Sequence, residues 1–109
     1  MYRLSALLIL LIAALLEAGG DALVRSALHS TATATRVASF ALGAVLLFSY
    51  GYTVNKPAWD FGRLLGVYIV FFFVIAQAIS WLVFNQRPAT PVVVGGAFVV
   101  AGGIVMSMF

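Results

Sequence analysis

The sequence contains no cysteine. Disulfides, thiol nucleophiles and thiolate metal sites are therefore excluded. Charge is scarce too: six Lys and Arg, three Asp and Glu and one His in 109 residues, 8% charged. A soluble domain carries about 25% charged residues. Disorder is excluded as well, because 64% of the chain is hydrophobic and disorder needs low hydrophobicity and high charge. The one histidine, His29, stands in a Ser/Thr-rich stretch with no further ligand or nucleophile around it. No Ser-His-Asp set, metal site or phosphate-cradling glycine loop can be assembled, so the chain reads as a non-enzyme without cofactor or metal. The bases Arg3, Arg25, Arg36, Lys56, Arg63 and Arg87 fall singly at the ends of apolar runs. That is membrane-interface decoration; it is not the basic stripe a nucleic acid would require.

What the sequence does have is four long apolar runs, at 4–24, 37–54, 64–84 and 92–109. A hydrocarbon core of ~30 Å takes ~20 helical residues to cross. The runs predict an all-α integral membrane protein, a single bundle of four transmembrane helices over 1–109, with the lipid bilayer as its first partner. A barrel would need alternating strands of about 10 residues, and the runs are continuous and too few to close. Arg25 to Arg36, R-S-A-L-H-S-T-A-T-A-T-R, reads as an interfacial loop. In Asn55 to Arg63, Pro57 stops helix 2, Trp59 suits the headgroups and Asp60 suits an N-cap. Asn85 to Pro91 is a tight turn, with Pro91 fit for the first turn of helix 4. Connections this short make neighbouring helices antiparallel and leave no room between spans for an extramembrane domain. Met1-Tyr2-Arg3 and the run Leu4–Leu16 imitate a signal peptide, but Glu17 stands where cleavage would be set up and apolar character resumes to Val24. A first span is expected instead, in a multi-pass protein of the cell (inner) membrane. One side of the membrane receives Arg3, Lys56 and Arg63 and the other Arg25, Arg36 and Arg87. This balance gives the positive-inside rule nothing to decide. Either another signal orients the chain, or it inserts both ways and forms antiparallel pairs.

Glu17 is the most informative residue. It lies three residues past the midpoint of helix 1, about 4–5 Å from the midplane. A charge there costs about 2.5–3.5 kcal/mol on insertion scales, and such residues face a cavity or a partner helix. Its helical neighbours are Ala13, Ala14, Gly20 and Asp21, a stripe of small residues and acids that leaves room for a ligand or a close helix. Desolvation and a second carboxylate both favour the neutral form of a carboxylic acid. Two such stripes in a dimer would let Glu17 exchange a proton for a cation; the bland reading is a protonated Glu hydrogen-bonded between helices. Glu17, Gly20, Asp21 and Ala13 are thus the candidate proton and substrate site. Asp21 also stands one turn from Arg25, a spacing that allows an ion pair.

On helix 3, Gln77, Ser80 and Trp81 share one face by spacing, and Tyr68 points to the other side. An aromatic such as Tyr68 beside a carboxylate can form a cation–π wall. Phe71-Phe72-Phe73 reads as lipid-facing or core, and Tyr50 and Tyr52 as interfacial-belt residues. Helix 4 carries Gly95-Gly96 and Gly102-Gly103 one heptad apart. This is a small-residue ridge for close helix packing, against a helix of the same chain or of another copy; the four glycines are the candidate dimer-packing residues.

These features resemble the small multidrug resistance (SMR) transporters of the drug/metabolite transporter superfamily over nearly the whole chain. Leu16 to Arg25, L-E-A-G-G-D-A-L-V-R, is similar to the family's first-helix motif, with Glu17, Gly20, Leu23 and Arg25 in its key places. Trp81, Phe84 to Arg87, Gly95 and the Ala101-Gly102 pair resemble its helix-3 end, turn and helix-4 dimerisation motif. Gly62, Arg63 and Gly66 to Tyr68 look closer to a less characterised third branch. The resemblance implies an antiparallel, dual-topology homodimer that exports small or lipophilic cations against protons. Both would compete for Glu17, and Tyr68 would serve as the binding-site aromatic. The chain differs from the family at Asp21, Leu65, Val70 and Phe72, where a small or hydroxyl residue, an aromatic and two glycines are usual. The other reading is a non-transporting membrane subunit, or half of a heteromeric flippase for a lipid-linked substrate.

Overall fold

A computed structural model describes residues 2–108. Phe109, the last residue of the fourth apolar run, lies outside them, as does Met1. The chain forms four helices: α1 (Tyr2–Leu28), α2 (Thr33–Val54), α3 (Phe61–Leu82) and α4 (Thr90–Met108). All four are long and apolar enough to cross a membrane. The helices outrun the apolar stretches at several ends. Ser26–Leu28 and Thr33–Arg36 are helical, so the first connection shrinks to residues 29–32. Hydropathy marks where the lipid ends, and a helix continues past that point while its residues tolerate it.

The helices pack as a row in the order α2, α1, α3, α4 rather than as an evenly closed bundle. α1 is the hub, packed against α2 and α3, and α4 joins through α3. Where α1 meets α2 the contact is glycine on glycine. A Cβ on Gly20 would lie 3.2 Å from the Gly43 carbonyl oxygen and 2.8 Å from Leu47. Two backbones this close leave no space for side chains. Between α3 and α4 the glycines receive knobs. Phe73 sits over Gly96, Val70 over Gly103 and Met106 over Gly66. The helix-4 glycine pairs are thus split. Gly96 and Gly103 are buried within the chain against α3, while Gly95 and Gly102 face open space.

At the helix ends one sequence expectation is corrected, and one residue gains a contact the sequence did not predict. Asp60 holds the N-cap position of α3, but its side chain makes no capping hydrogen bond. Arg63, which the sequence places at the membrane interface, also ties two helices together. Its Nε donates to the Met106 carbonyl (3.0 Å) and its Nη2 to that of Ser107 (3.4 Å), closing the C-terminus of α4, where cations suit the helix dipole. The α3–α4 turn uses Asn85 at φ 55°, a conformation Asn tolerates. It returns the Gln86 N–H to the Ser80 carbonyl at 2.9 Å. The packing generates a paired expectation. Gly103→Val destabilises the detergent-solubilised monomer by about 1–3 kcal/mol through overpacking against Val70, while Gly102→Val leaves it nearly unchanged. Thermal unfolding by circular dichroism of the two variants reads the difference.

Candidate functional site

The core of the fold lies beside the acid of α1. Leu10, Ala13 and Ala14 of α1 are fully buried, and Val54 of α2 and Leu64, Val67 and Tyr68 of α3 join them. Two of the three α1 residues are alanines, and small side chains favour close approach of helices. Tyr68 is 3% exposed, and its hydroxyl must find an acceptor there. It donates to Glu17 Oε1 at 2.7 Å, with the Ala13 carbonyl oxygen at 3.4 Å. Glu17 is partly buried. The structure therefore joins an acid of α1 to a tyrosine 51 residues away on α3.

Of the predicted site residues, Glu17, Tyr68 and Ala13 come together; Ala13 contributes its backbone carbonyl, not open space. Gly20 points instead into the α1–α2 contact, against Gly43 and Leu47. Asp21 is exposed one turn along α1 and lines a groove between α1 and α3. The Asp21–Arg25 pair that the spacing allows is not closed. The Arg25 guanidinium lies over the Phe84 ring, 5.4 Å from its centroid. Gln77, Ser80 and Trp81 do not act together. Gln77 lines a groove against α4, Ser80 donates to the Gln86 carbonyl at 3.2 Å, and Trp81 is exposed under Arg87.

The inward packing of Tyr50 escapes the sequence reading, whereas Phe72 takes the core place that was one of its two expected positions. Tyr50, read as an interfacial residue, packs inward: its ring lies 5.5 Å from that of Tyr68, between α2 and α3. Phe72 packs on Tyr68 at 6.2 Å. A signal for Tyr50 existed. Gly43, Leu47, Tyr50 and Val54 repeat at helical spacing along one face of α2, the face that meets α1 and the core. Among the described residues, no group of three His, Asp or Glu could hold a metal ion. The site is a single carboxyl group held by one phenol within an aromatic wall. Tyr68→Phe removes the donor while keeping the packing. The expected result is a folded protein whose Glu17 carboxyl band, assigned by its loss in Glu17→Gln, moves in the infrared spectrum. An unmoved band would show that the hydrogen bond is not made.

The chain is 34% identical over 67 residues to a UPF0060 membrane protein of Herpetosiphon aurantiacus. The match covers 60% of this chain and 61% of that relative, so this chain spans only about three-fifths of its length. No protein-family model matches the chain, and no solved structure matches it. The likeness to a membrane protein agrees with four helices of spanning length and apolarity. The chain is a multi-pass, all-helical membrane protein.

Proposed function

We propose that this protein is a proton-coupled exporter of small cations in the cell (inner) membrane, working as an antiparallel homodimer with Glu17 as the shared proton and substrate site. The observation that carries the reading is the 2.7 Å hydrogen bond from Tyr68 to Glu17. It fixes the one acid near the middle of a spanning helix against an aromatic wall of Tyr50, Tyr68 and Phe72. Membrane-embedded acids mark ion and proton pathways by default, and aromatic faces attract cations. In the exchange, the Glu17 O–H bond breaks and its proton passes to water as the carboxylate pairs with the cation. On the other side of the membrane the cation leaves and a proton returns.

Three further features support the reading. The first-helix stretch Leu16–Arg25 resembles the SMR motif around its glutamate. The bases divide equally between the two membrane sides, as a chain inserted both ways requires. The open glycines Gly95 and Gly102 leave a smooth strip on α4 for a second copy. The test is proton release into weakly buffered detergent solution on adding guanidinium and a series of quaternary ammonium ions. Release from wild type that vanishes in Glu17→Gln is expected. No release from well-folded wild type between pH 6 and 9 would overturn the exchange reading and favour a subunit that needs a partner chain.

A further inference from the structure

The groove between α1 and the second half of α3 lies outside the Glu17–Tyr68 contact. It encloses about 290 Å³ and is lined by both Asp21 and Arg25, with Ser80, Phe72, Phe84 and Gln86 around them. Its unusual feature is two opposite charges in one space, with the guanidinium placed on an aromatic ring. They stand one turn apart on α1, about 6 Å along the axis, at a spacing where ion pairs readily form. The Arg25 guanidinium instead lies over Phe84 at 5.4 Å. A guanidinium carries five N–H donors, so one lying over a ring still has donors to offer a carboxylate. Asp21, one turn deeper, is left to accept from a cation.

We propose that this groove binds a zwitterion, its cationic end at Asp21 and its anionic end at Arg25. A bare cation gains little there, since attraction by Asp21 is offset by repulsion from Arg25. A ligand with both charges meets a complement at each end. The polarity of the site also selects among zwitterions. Arg25 is nearer the end of α1 and Asp21 nearer its middle, so the positive end points inward. A phospholipid headgroup carries its phosphate next to the acyl chains and its amine outward, the reverse order. The occupant is therefore a small soluble amino or guanidino acid. Phe72 lines the groove and packs on Tyr68, which directs the cationic end toward Glu17. That the occupant is also transported rests on the exchange proposed above; that it binds does not.

The chain has no cysteine, so Ala22→Cys places a single thiol in the groove wall. The rate of its labelling by a neutral maleimide is measured against 4-guanidinobutanoate and against guanidinium. The zwitterion is expected to protect at about tenfold lower concentration than the bare cation. Adding Arg25→Gln removes that advantage, and Arg25→Lys, which keeps the charge, retains part of it. Asp21→Asn weakens protection by both ligands. Equal protection by the two ligands, no protection, or an advantage that survives Arg25→Gln would overturn the proposal. Proton release measured on the same samples separates the two readings. Guanidinium-driven release without a zwitterion advantage sinks the groove alone. A zwitterion advantage without any proton release supports the groove and sinks the exchange.

Discussion

In lipid, helices gain nothing by hiding apolar surface from one another, so close approach has to come from shape. α1 supplies that shape on two sides. Its glycine contact with Gly43 brings α2 in backbone to backbone, and its buried alanines Ala13 and Ala14 admit α3. The position of α3 then fixes the position of α4, whose Gly96 and Gly103 receive Phe73 and Val70. Packing of small residues on α1 thus propagates through the row and places the carboxyl group against its phenol.

The ends of the helices follow a different rule. With three acids against six bases, carboxylates cannot satisfy the cations. Aromatic rings take that part instead. Arg25 lies over Phe84, Arg36 over Phe40, Lys56 over Tyr52, Arg63 over Trp59 and Arg87 over Trp81, at 5.1 to 5.9 Å. Each such contact is worth about 0.5–1 kcal/mol when exposed. Their larger consequence is electrostatic. Bases held on rings leave Glu17 with a neutral phenol as its partner, and an acid near the membrane interior without a paired base is what a cation site needs.

The number, order and approximate limits of the helices were legible because continuous apolar runs of spanning length admit few other structures. Glu17 stood out for the same reason, as a charge where charge is costly. The partners of these residues were less legible. Tyr50 looked interfacial because it lies near the end of its run, and only the packing of α2 on α1 turns it inward onto Tyr68. Gly20 shared a stripe with Glu17 by spacing, but 3 residues amount to 300° of helix rather than a full turn, enough to direct it at α2. The two faces of the Gly-Gly pairs in α4 were indistinguishable until Phe73 and Val70 occupied one of them. Arg63 at the α4 C-terminus is a contact 43 residues long in sequence, beyond the reach of any local pattern.

The same geometry limits how Glu17 can move during the proposed exchange. A hydroxyl buried as deeply as that of Tyr68 pays about 1–3 kcal/mol if it loses its acceptor, which would oppose any turn of Glu17 toward a cation. The Ala13 carbonyl removes most of that obstacle. It lies 3.4 Å from the hydroxyl while Glu17 Oε1 lies at 2.7 Å, so the phenol has a second acceptor fixed on the same helix, one turn before the acid. A backbone carbonyl neither titrates nor changes rotamer, and it is present in every state of Glu17. The phenol can therefore hold the carboxyl group and release it without being left unsatisfied.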